Sequence, residues 1–395
     1  MSSSSIRQLF LQHVAQTSGS PMALEISHAE GIYVYTAEGK RFTDLVSGVS
    51  VSAVGHCHPK VVAAVKKQVE SYMHLMVYGE YIQAPQVLLA EKICSMLPKE
   101  LSNVYFVNSG SEANEGVMKL AKRYTGRSEI VAFKKCYHGS TQGALSIMGD
   151  ESYKQNFRPL LPDIRMLEFN DEKSLEQITE KTACVVVEPI QAEGGVIIPQ
   201  NNFLRKLRER CTKVGSLLAF DEVQTGAGRT GTMFAFEQLE AVPDILTIAK
   251  AFGGGMPIGA FIAPKHIMET LTHNPVLGHI TTFGGHPVSC TAALAALKVM
   301  EEDNLVAGVK EKAERFRKSM QSNKKVKEVR GIGLLLAVEL GNAELLQQFF
   351  KRTLEQGVAI DWFLHCNTAF RIAPPLTITN EQIDEVCEIL HQCIG

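Results

Sequence analysis

The 395-residue sequence has a single tryptophan, and aromatic residues make up only 7% of it. It also lacks an excess of either charge: 40 Lys plus Arg stand against 42 Asp plus Glu, a formal net charge of −2. Without a basic field, nothing attracts nucleic acid or an anionic membrane surface, so neither is expected as a partner. No apolar run approaches the ~20 residues that a bilayer-crossing helix needs. The opening "MSSSSIRQLFLQHVAQ" has no apolar core of secretory type, and its short serine run is expected to fray. The nine cysteines are scattered, and no CxxC pair occurs among them. That pattern argues against a disulfide framework and for free thiols in a reducing cytoplasm. Internal repeats are absent too.

What is present is ordinary globular material, with 45% hydrophobic and 21% charged residues. At ~100–200 residues per domain, the length predicts two or three domains. From about residue 103, apolar runs alternate with helical patterns. "NVYFVNSG" (103–110) reads as a strand, and "SEANEGVMKLAKRYTG" (111–126) as a helix stopped by Gly126. "EIVAFKKCYHG", "ACVVVEPIQ" (183–191), "SLLAFDEVQ" (216–224), "DILTIAK" (244–250) and "IGAFIAP" (258–264) read as further strands. "FLRKLRERCTKVG" (203–215) and "SCTAALAALKVMEED" (289–303) read as helices. The strands are continuously apolar, as in a sheet covered by helices on both faces. The alternation predicts an α/β fold with a mainly parallel central sheet.

A smaller α+β segment follows, with strands "GIGLLLAVEL" and "FRIAPPL" and a last helix capped by Thr379 with Gln382 three residues on. Near the start, "GIYVYTAEGKRFTDL" reads as a hairpin around Glu38-Gly39. The expected division is residues 1–55, packing with the small domain, residues 56–300 as a large ligand-binding domain, and residues 301–395 as the small domain.

Ligands of such sheets bind beyond the carboxyl ends of the strands. Asn108, Glu188, Asp221 and Lys250 sit at those ends. In "NSGSEANE" (108–115), Ser109 and Glu112 form an S-x-x-E capping box, and Gly110 admits close approach. A helix mouth of this kind binds anions, although it is also simply a well-capped helix. Asp221 is a carboxylate ending a buried strand. It either stabilises a cation, such as a protonated ring nitrogen, or makes a structural ion pair. Lys250 precedes "AFGGG" and either serves as a nucleophile toward a carbonyl, forming a Schiff base, or extends its ammonium to solvent. Tyr137 in "CYHG" could stack on a flat ring or pack in the core.

Two motifs offer other chemistry. "GAGRTG" (226–231) fits a dinucleotide fingerprint, but no helix pattern opens after it and "DEVQ" intervenes after the strand. "GHCHP" (55–59) places His56, Cys57 and His58 together without a second ligand cluster, so a structural turn is expected and no metal. The strand-end residues instead fit one ligand with a phosphate, a basic ring nitrogen, a ring face and an aldehyde. Pyridoxal 5′-phosphate has all four.

With these motifs in order, the chain resembles the class III (ω-amino) aminotransferases of the fold-type I pyridoxal-phosphate enzymes. The acetylornithine, ornithine and putrescine aminotransferases belong to this class. The resemblance runs from "GIYVYTAEGKRFTDL" and "GHCHPKVV" through "NSGSEANEGVMKLA", "VEPIQAEGG", "FDEVQTGAGRTG", "AKAFGGGMPIGA" and "TTFGGHP" to "FRIAPPLTIT". It implies a fold-type I transferase with Lys250 as Schiff-base lysine and Asp221 as ring-nitrogen partner. Ser109, Gly110 and Ser111 would hold the phosphate, and Tyr137 would stack on the ring beside His138. Val223 and Gln224 would also lie at the cofactor, with Glu188 behind. Thr282 would reach the phosphate of a neighbouring subunit's cofactor, which implies a homodimer with its active site at the interface. Arg371 would grip the substrate α-carboxylate, and Glu193 would pair with Arg371 when an ω-amine occupies the site.

The implied reaction moves a terminal amino group to 2-oxoglutarate, giving an aldehyde and glutamate. An aminomutase of the glutamate-1-semialdehyde type is the alternative. Two positions depart from the family. Many members carry arginine where this chain has Ser140, and ornithine-specific members carry tyrosine near Val49. "GALS" (143–146), "FRPLLP" (157–162) and "TTFGGHP" resemble the putrescine-type branch.

Overall fold

The computed structural model describes residues 5–395. The expectation for the serine run at 2–4 lies outside the described residues, while Ser5 caps the helix Ile6–His13. A seven-stranded sheet organises the chain. Its order is Asn103–Val107, Gly259–Ala263, Ile245–Ala249, Leu217–Asp221, Thr182–Val187, Glu129–Phe133, Ile164–Leu167. The last five strands are parallel to one another. Gly259–Ala263 runs antiparallel between Asn103–Val107 and Ile245–Ala249. Ile164–Leu167 was not expected, because it is short and half-buried at the sheet edge and its apolar signal is weak.

Both faces of this sheet are buried. On the strand Leu217–Asp221, Leu218 and Phe220 pack into one core with Leu89, Leu207 and Leu297. Leu217 and Ala219 pack into the other with Ala113, Val117 and Phe261. That two-sided burial is why the strands read as unbroken apolar runs. The helix Gly110–Thr125 covers one face and ends on Gly126 at φ 68°. The helices Phe203–Val214 and Pro287–Glu302 contribute to the other core.

Two four-stranded sheets complete the fold. Ile26–Glu30, Tyr33–Thr36 and Arg41–Asp44 form an antiparallel set with a turn at Gly39, φ 82°. Arg41–Asp44 also pairs in parallel with Val358–Ala359, so the start of the chain joins its end. The other sheet holds Glu328–Ile332, Leu335–Glu339, Cys366–Ile372 and Asp361–Phe363. Thr379 and Gln382 close the expected capping box on the helix Asn380–Ile394.

"GAGRTG" forms a buried turn with no helix opening after it. Arg229 there is fully buried and donates to the carbonyls of Leu334 and Pro374, leaving no room for a nucleotide. In "GHCHP", His56 Nε2 pairs with Asp44 at 2.8 Å, so this turn ties down the N-terminal segment.

Candidate active site

Asn108, Glu188, Asp221 and Lys250 all line one cavity of about 690 Å³ at the carboxyl ends of the strands. The parallel topology brings them together, since each follows or ends a strand at the same sheet edge. Ser109, Gly110, Ser111, Tyr137, His138, Ser140, Val223 and Gln224 line it too.

One end of the cavity is the mouth of the helix Gly110–Thr125. Ser109 Oγ accepts from Glu112 N at 3.2 Å, and the first amides of the helix have no intrahelical partner. Ser111 Oγ and Thr141 Oγ1 lie 2.8 Å apart, and Thr141 donates to Glu115 Oε1 at 2.7 Å. Gly110 is required here: a Cβ would meet Val223 Cγ2 at 2.8 Å and Cγ1 at 2.9 Å. Gly139, at φ 129°, likewise lies where a Cβ would strike Ser111 Oγ at 2.2 Å.

Asp221 forms the floor. Its Oδ2 accepts from Asn114 Nδ2 at 2.7 Å and pairs with His138 Nδ1 at 2.7 Å. Its Oδ1 accepts from Val223 N at 3.0 Å. Burial works against a charged His138 ring, but Cys136 and the Asp221 carboxylate together outweigh it, and the His138 pKa is raised. Glu188 accepts from Tyr137 N at 3.1 Å and Ala192 N at 3.2 Å, and burial pushes its pKa up to about 8. Tyr137 OH lies 3.0 Å from Ser140 Oγ.

Lys250 directly follows the strand Ile245–Ala249 and has φ 51°, a left-handed backbone that a non-glycine residue rarely adopts. Such strain persists where the surrounding structure imposes it, and it clusters at functional sites. Burial lowers the Lys250 pKa to about 8, with Arg371 reinforcing and Glu193, Asp221 and Glu188 opposing. A lysine near 8 has an accessible neutral amine close to neutral pH.

Arg371 and Glu193 meet at 2.7 Å, with both side chains buried. Gln224 bridges them, donating to Glu193 Oε1 at 2.8 Å and accepting from Arg371 Nη1 at 3.2 Å. Burial alone would raise the Glu193 pKa, but Arg371, Gln224 and Lys250 together outweigh burial and hold it low. The charged pair therefore stands behind Gln224, which lines the cavity.

The arrangement fits pyridoxal phosphate. Free helix amides suit its phosphate, the Asp221 carboxylate suits its ring nitrogen, and the lysine amine suits its aldehyde. His138 Nε2 is buried with no hydrogen-bond partner, a polar atom left facing a buried region. Among the described residues, no group of three or more His, Cys, Asp or Glu could hold a metal ion.

Four expected residues are not in the cavity lining: Arg371 and Glu193, which reach it through Gln224, and Val49 and Thr282. Val49 is outside the cavity lining, in a kinked turn with φ 60°, and Val51 lines the wall instead. Thr282 is exposed and away from this cavity. Asn114 was not singled out from the sequence. Its signal was a polar residue on the buried stripe shared with Val117, Met118 and Ala121.

A family model described as aminotransferase class-III matches residues 14–394. The acetylornithine aminotransferase of Methanocaldococcus jannaschii is 39% identical over 376 residues, covering 92% of this chain and 91% of that protein. That of Methanosarcina acetivorans is 41% identical over 385 residues, covering 96% and 94%. Among solved structures, a transaminase from the marine bacterium Virgibacillus superposes with TM-score 0.92 at 28% identity, covering 98% of each chain. An ornithine aminotransferase from Toxoplasma gondii, with pyridoxal phosphate at partial occupancy in its active site, superposes with TM-score 0.89 at 28% identity, covering 98% and 92%.

Proposed function

The chain belongs to the class-III aminotransferase family, and on that premise we propose that it transfers the terminal amino group of an ω-amino acid or diamine to 2-oxoglutarate, giving an aldehyde and glutamate. The observation that carries this reading is the convergence of Lys250 and Asp221 on one cavity, with the Arg371–Glu193 pair joined to its wall through Gln224. Family members use pyridoxal 5′-phosphate, which supplies an electron sink for the substrate carbon. Asp221 keeps a proton on the ring nitrogen, held in place by Asn114 and His138. Lys250 Nζ would carry the proton between the substrate carbon and the cofactor carbon, as its lowered pKa suits. Tyr137 would cover the ring face, and Gly110 and Ser111 would hold the phosphate on backbone amides.

Arg371 and Glu193 select the substrate half. While Glu193 neutralises Arg371, the site accepts a carbon bearing no carboxylate. When Glu193 gives way, Arg371 takes the α-carboxylate of glutamate or 2-oxoglutarate in bidentate fashion. Ser140 offers no charge, so the far end of the donor needs no carboxylate there. Nothing in the cavity requires an aminomutase, and the acetylornithine aminotransferases that the chain resembles speak for transfer to an outside acceptor.

The working unit in this reading is a homodimer in the cytoplasm. Its support is that Ile82, Val276 and Phe283 are apolar yet 95%, 71% and 54% exposed. Thr282, exposed beside Phe283 in the chain, would reach the phosphate in a second copy. All nine cysteines are free, as a reducing compartment keeps them.

A donor screen tests the proposal. Putrescine, N-acetylornithine, ornithine and 4-aminobutyrate are added one at a time without acceptor, and the visible absorbance of the bound cofactor is followed. At least one of them should bleach it, and 2-oxoglutarate should restore it with glutamate formed. Turnover without any acceptor would instead point to the aminomutase.

A further inference from the structure

Arg371 carries a donor that nothing in its surroundings satisfies. Its Nη2 donates to Glu193 Oε1 at 2.7 Å and to Trp362 O at 3.3 Å, and its Nη1 to Gln224 Oε1 at 3.2 Å. Its Nε is buried with no partner. The side chain is only 1% exposed, so this donor faces the protein interior rather than bulk water.

Directly across the antiparallel pair, Asp361 is the register partner of Arg371. Partners of this kind have Cβ atoms ~4.5–5.5 Å apart and share a face. Beyond a bulge after Trp362, the Arg371 guanidinium also lies 4.8 Å over the Phe363 ring. Asp361 and Arg371 therefore point the same way. Among the described residues Arg371 forms its ion pair with Glu193 and not with Asp361. Asp361 Oδ1 is instead held by Trp362 N at 2.8 Å. Burial raises the Asp361 pKa, and the charges of Arg371, Glu193 and Lys250 bear on it as well, so it stands near the groups given to substrate. Two carboxylates thus attend one guanidinium.

We propose that Asp361 is a specificity-determining residue, a second carboxylate beside Arg371 that disfavours a carboxylate on the reacting carbon and so biases the site toward ω-amino donors. The inference rests on the transaminase reading above and names the selectivity of that same site. For glutamate or 2-oxoglutarate to bind, Glu193 must release Arg371, and the incoming carboxylate then meets Asp361. An ω-amino donor presents an uncharged CH₂ at that point and escapes the conflict. Like charges a few ångströms apart in a half-buried site repel strongly enough to shift binding by roughly five- to tenfold.

The test is Asp361→Asn in the holoenzyme. Asparagine keeps the size and the Oδ1 acceptor for Trp362 N–H while removing the charge. KM for glutamate and for 2-oxoglutarate should fall roughly five- to tenfold, with kcat little changed. KM for the ω-amino donor should stay within about twofold, because that donor lacks the opposed charge. A binding readout without turnover runs alongside: glutarate, an unreactive dicarboxylate, should raise the melting temperature more in D361N than in the parent. Asp361→Ser, which removes the same charge with a smaller side chain, should move both readouts in the same direction. Unchanged KM for glutamate and 2-oxoglutarate, or a parallel change for donor and acceptor alike, would overturn the role of Asp361 while leaving the transaminase intact. A parent enzyme that turned over neither glutamate nor any ω-amino donor would remove both.

Discussion

Replacing Asp221 by asparagine is the most informative single change at the cavity floor. Three donors converge on this carboxylate: Asn114 Nδ2 and His138 Nδ1 on Oδ2, both at 2.7 Å, and Val223 N on Oδ1 at 3.0 Å. An amide has one acceptor oxygen and one NH₂ group. If the oxygen takes the Oδ2 place, the NH₂ opposes Val223 N–H. If it takes the Oδ1 place, the NH₂ opposes both Asn114 and His138. The first arrangement is cheaper and still leaves one buried donor unmatched, which costs about 1–3 kcal/mol. His138 also loses its counter-charge, so burial dominates and its ring becomes neutral. His138 has a folded pKa raised above its ordinary 6.5. The stability it contributes is fully present below that ordinary value and is lost as pH rises through the folded one. The stability gap between parent and D221N should therefore be wide at pH 6 and narrow as the pH is raised well above neutrality.

Activity should fall further than stability. A charge-assisted hydrogen bond is worth about 1.5–3 kcal/mol, so losing it at the ring nitrogen slows the half-reaction roughly 10- to 100-fold. The assay is single-turnover absorbance with donor and no acceptor, beside thermal melts across pH. Half-reaction rates within about twofold of the parent would refute the role given to Asp221, since twofold is far below a lost charge-assisted bond.

Three other outcomes follow. Gly110→Ala should weaken cofactor retention and lower stability by about 1–3 kcal/mol, because its Cβ overlaps Val223 and the backbone must move; dialysis against buffer and a melt read both. The rate at which apo protein captures pyridoxal phosphate should rise with pH through about 8 and level off above it, as Lys250 loses its proton; a flat profile between pH 6 and 9 would contradict that assignment. Asn114→Ala should slow the half-reaction by roughly tenfold while KM for the donor holds, since it removes one hydrogen bond to Asp221 and touches no substrate group.

Much of this site was legible in the sequence because α/β topology collects strand ends. Asp221 and Lys250 each close an apolar run, and a charge in that place has few structural uses. The fold-type I architecture expected from the resemblance is the one the solved relatives share. Partners far apart in sequence were harder to read. That Asn114 and His138 share Oδ2 of Asp221 depends on how the helix Gly110–Thr125 sits on the sheet, and no spacing reveals it. Asp361 was invisible for a similar reason. Its importance comes from cross-strand register with Arg371 and from a bulge after Trp362, features that a hydrophobic pattern does not encode. Val49 was expected at the donor pocket from a family position, but the left-handed kink at residues 48–49 turns Val51 toward the cavity instead. The antiparallel strand Gly259–Ala263 was expected as a strand, but its direction is set by the short "FGGGMP" connection and not by composition.

The central claim is that Lys250 is the amine that engages the cofactor aldehyde. Borohydride reduction of the holoenzyme, followed by proteolysis and mass mapping, tests it directly. The account predicts a pyridoxyl group fixed on the peptide containing Lys250, and its absence from Lys250→Ala protein that still folds. A label on another lysine, or the same label in the variant, would contradict it.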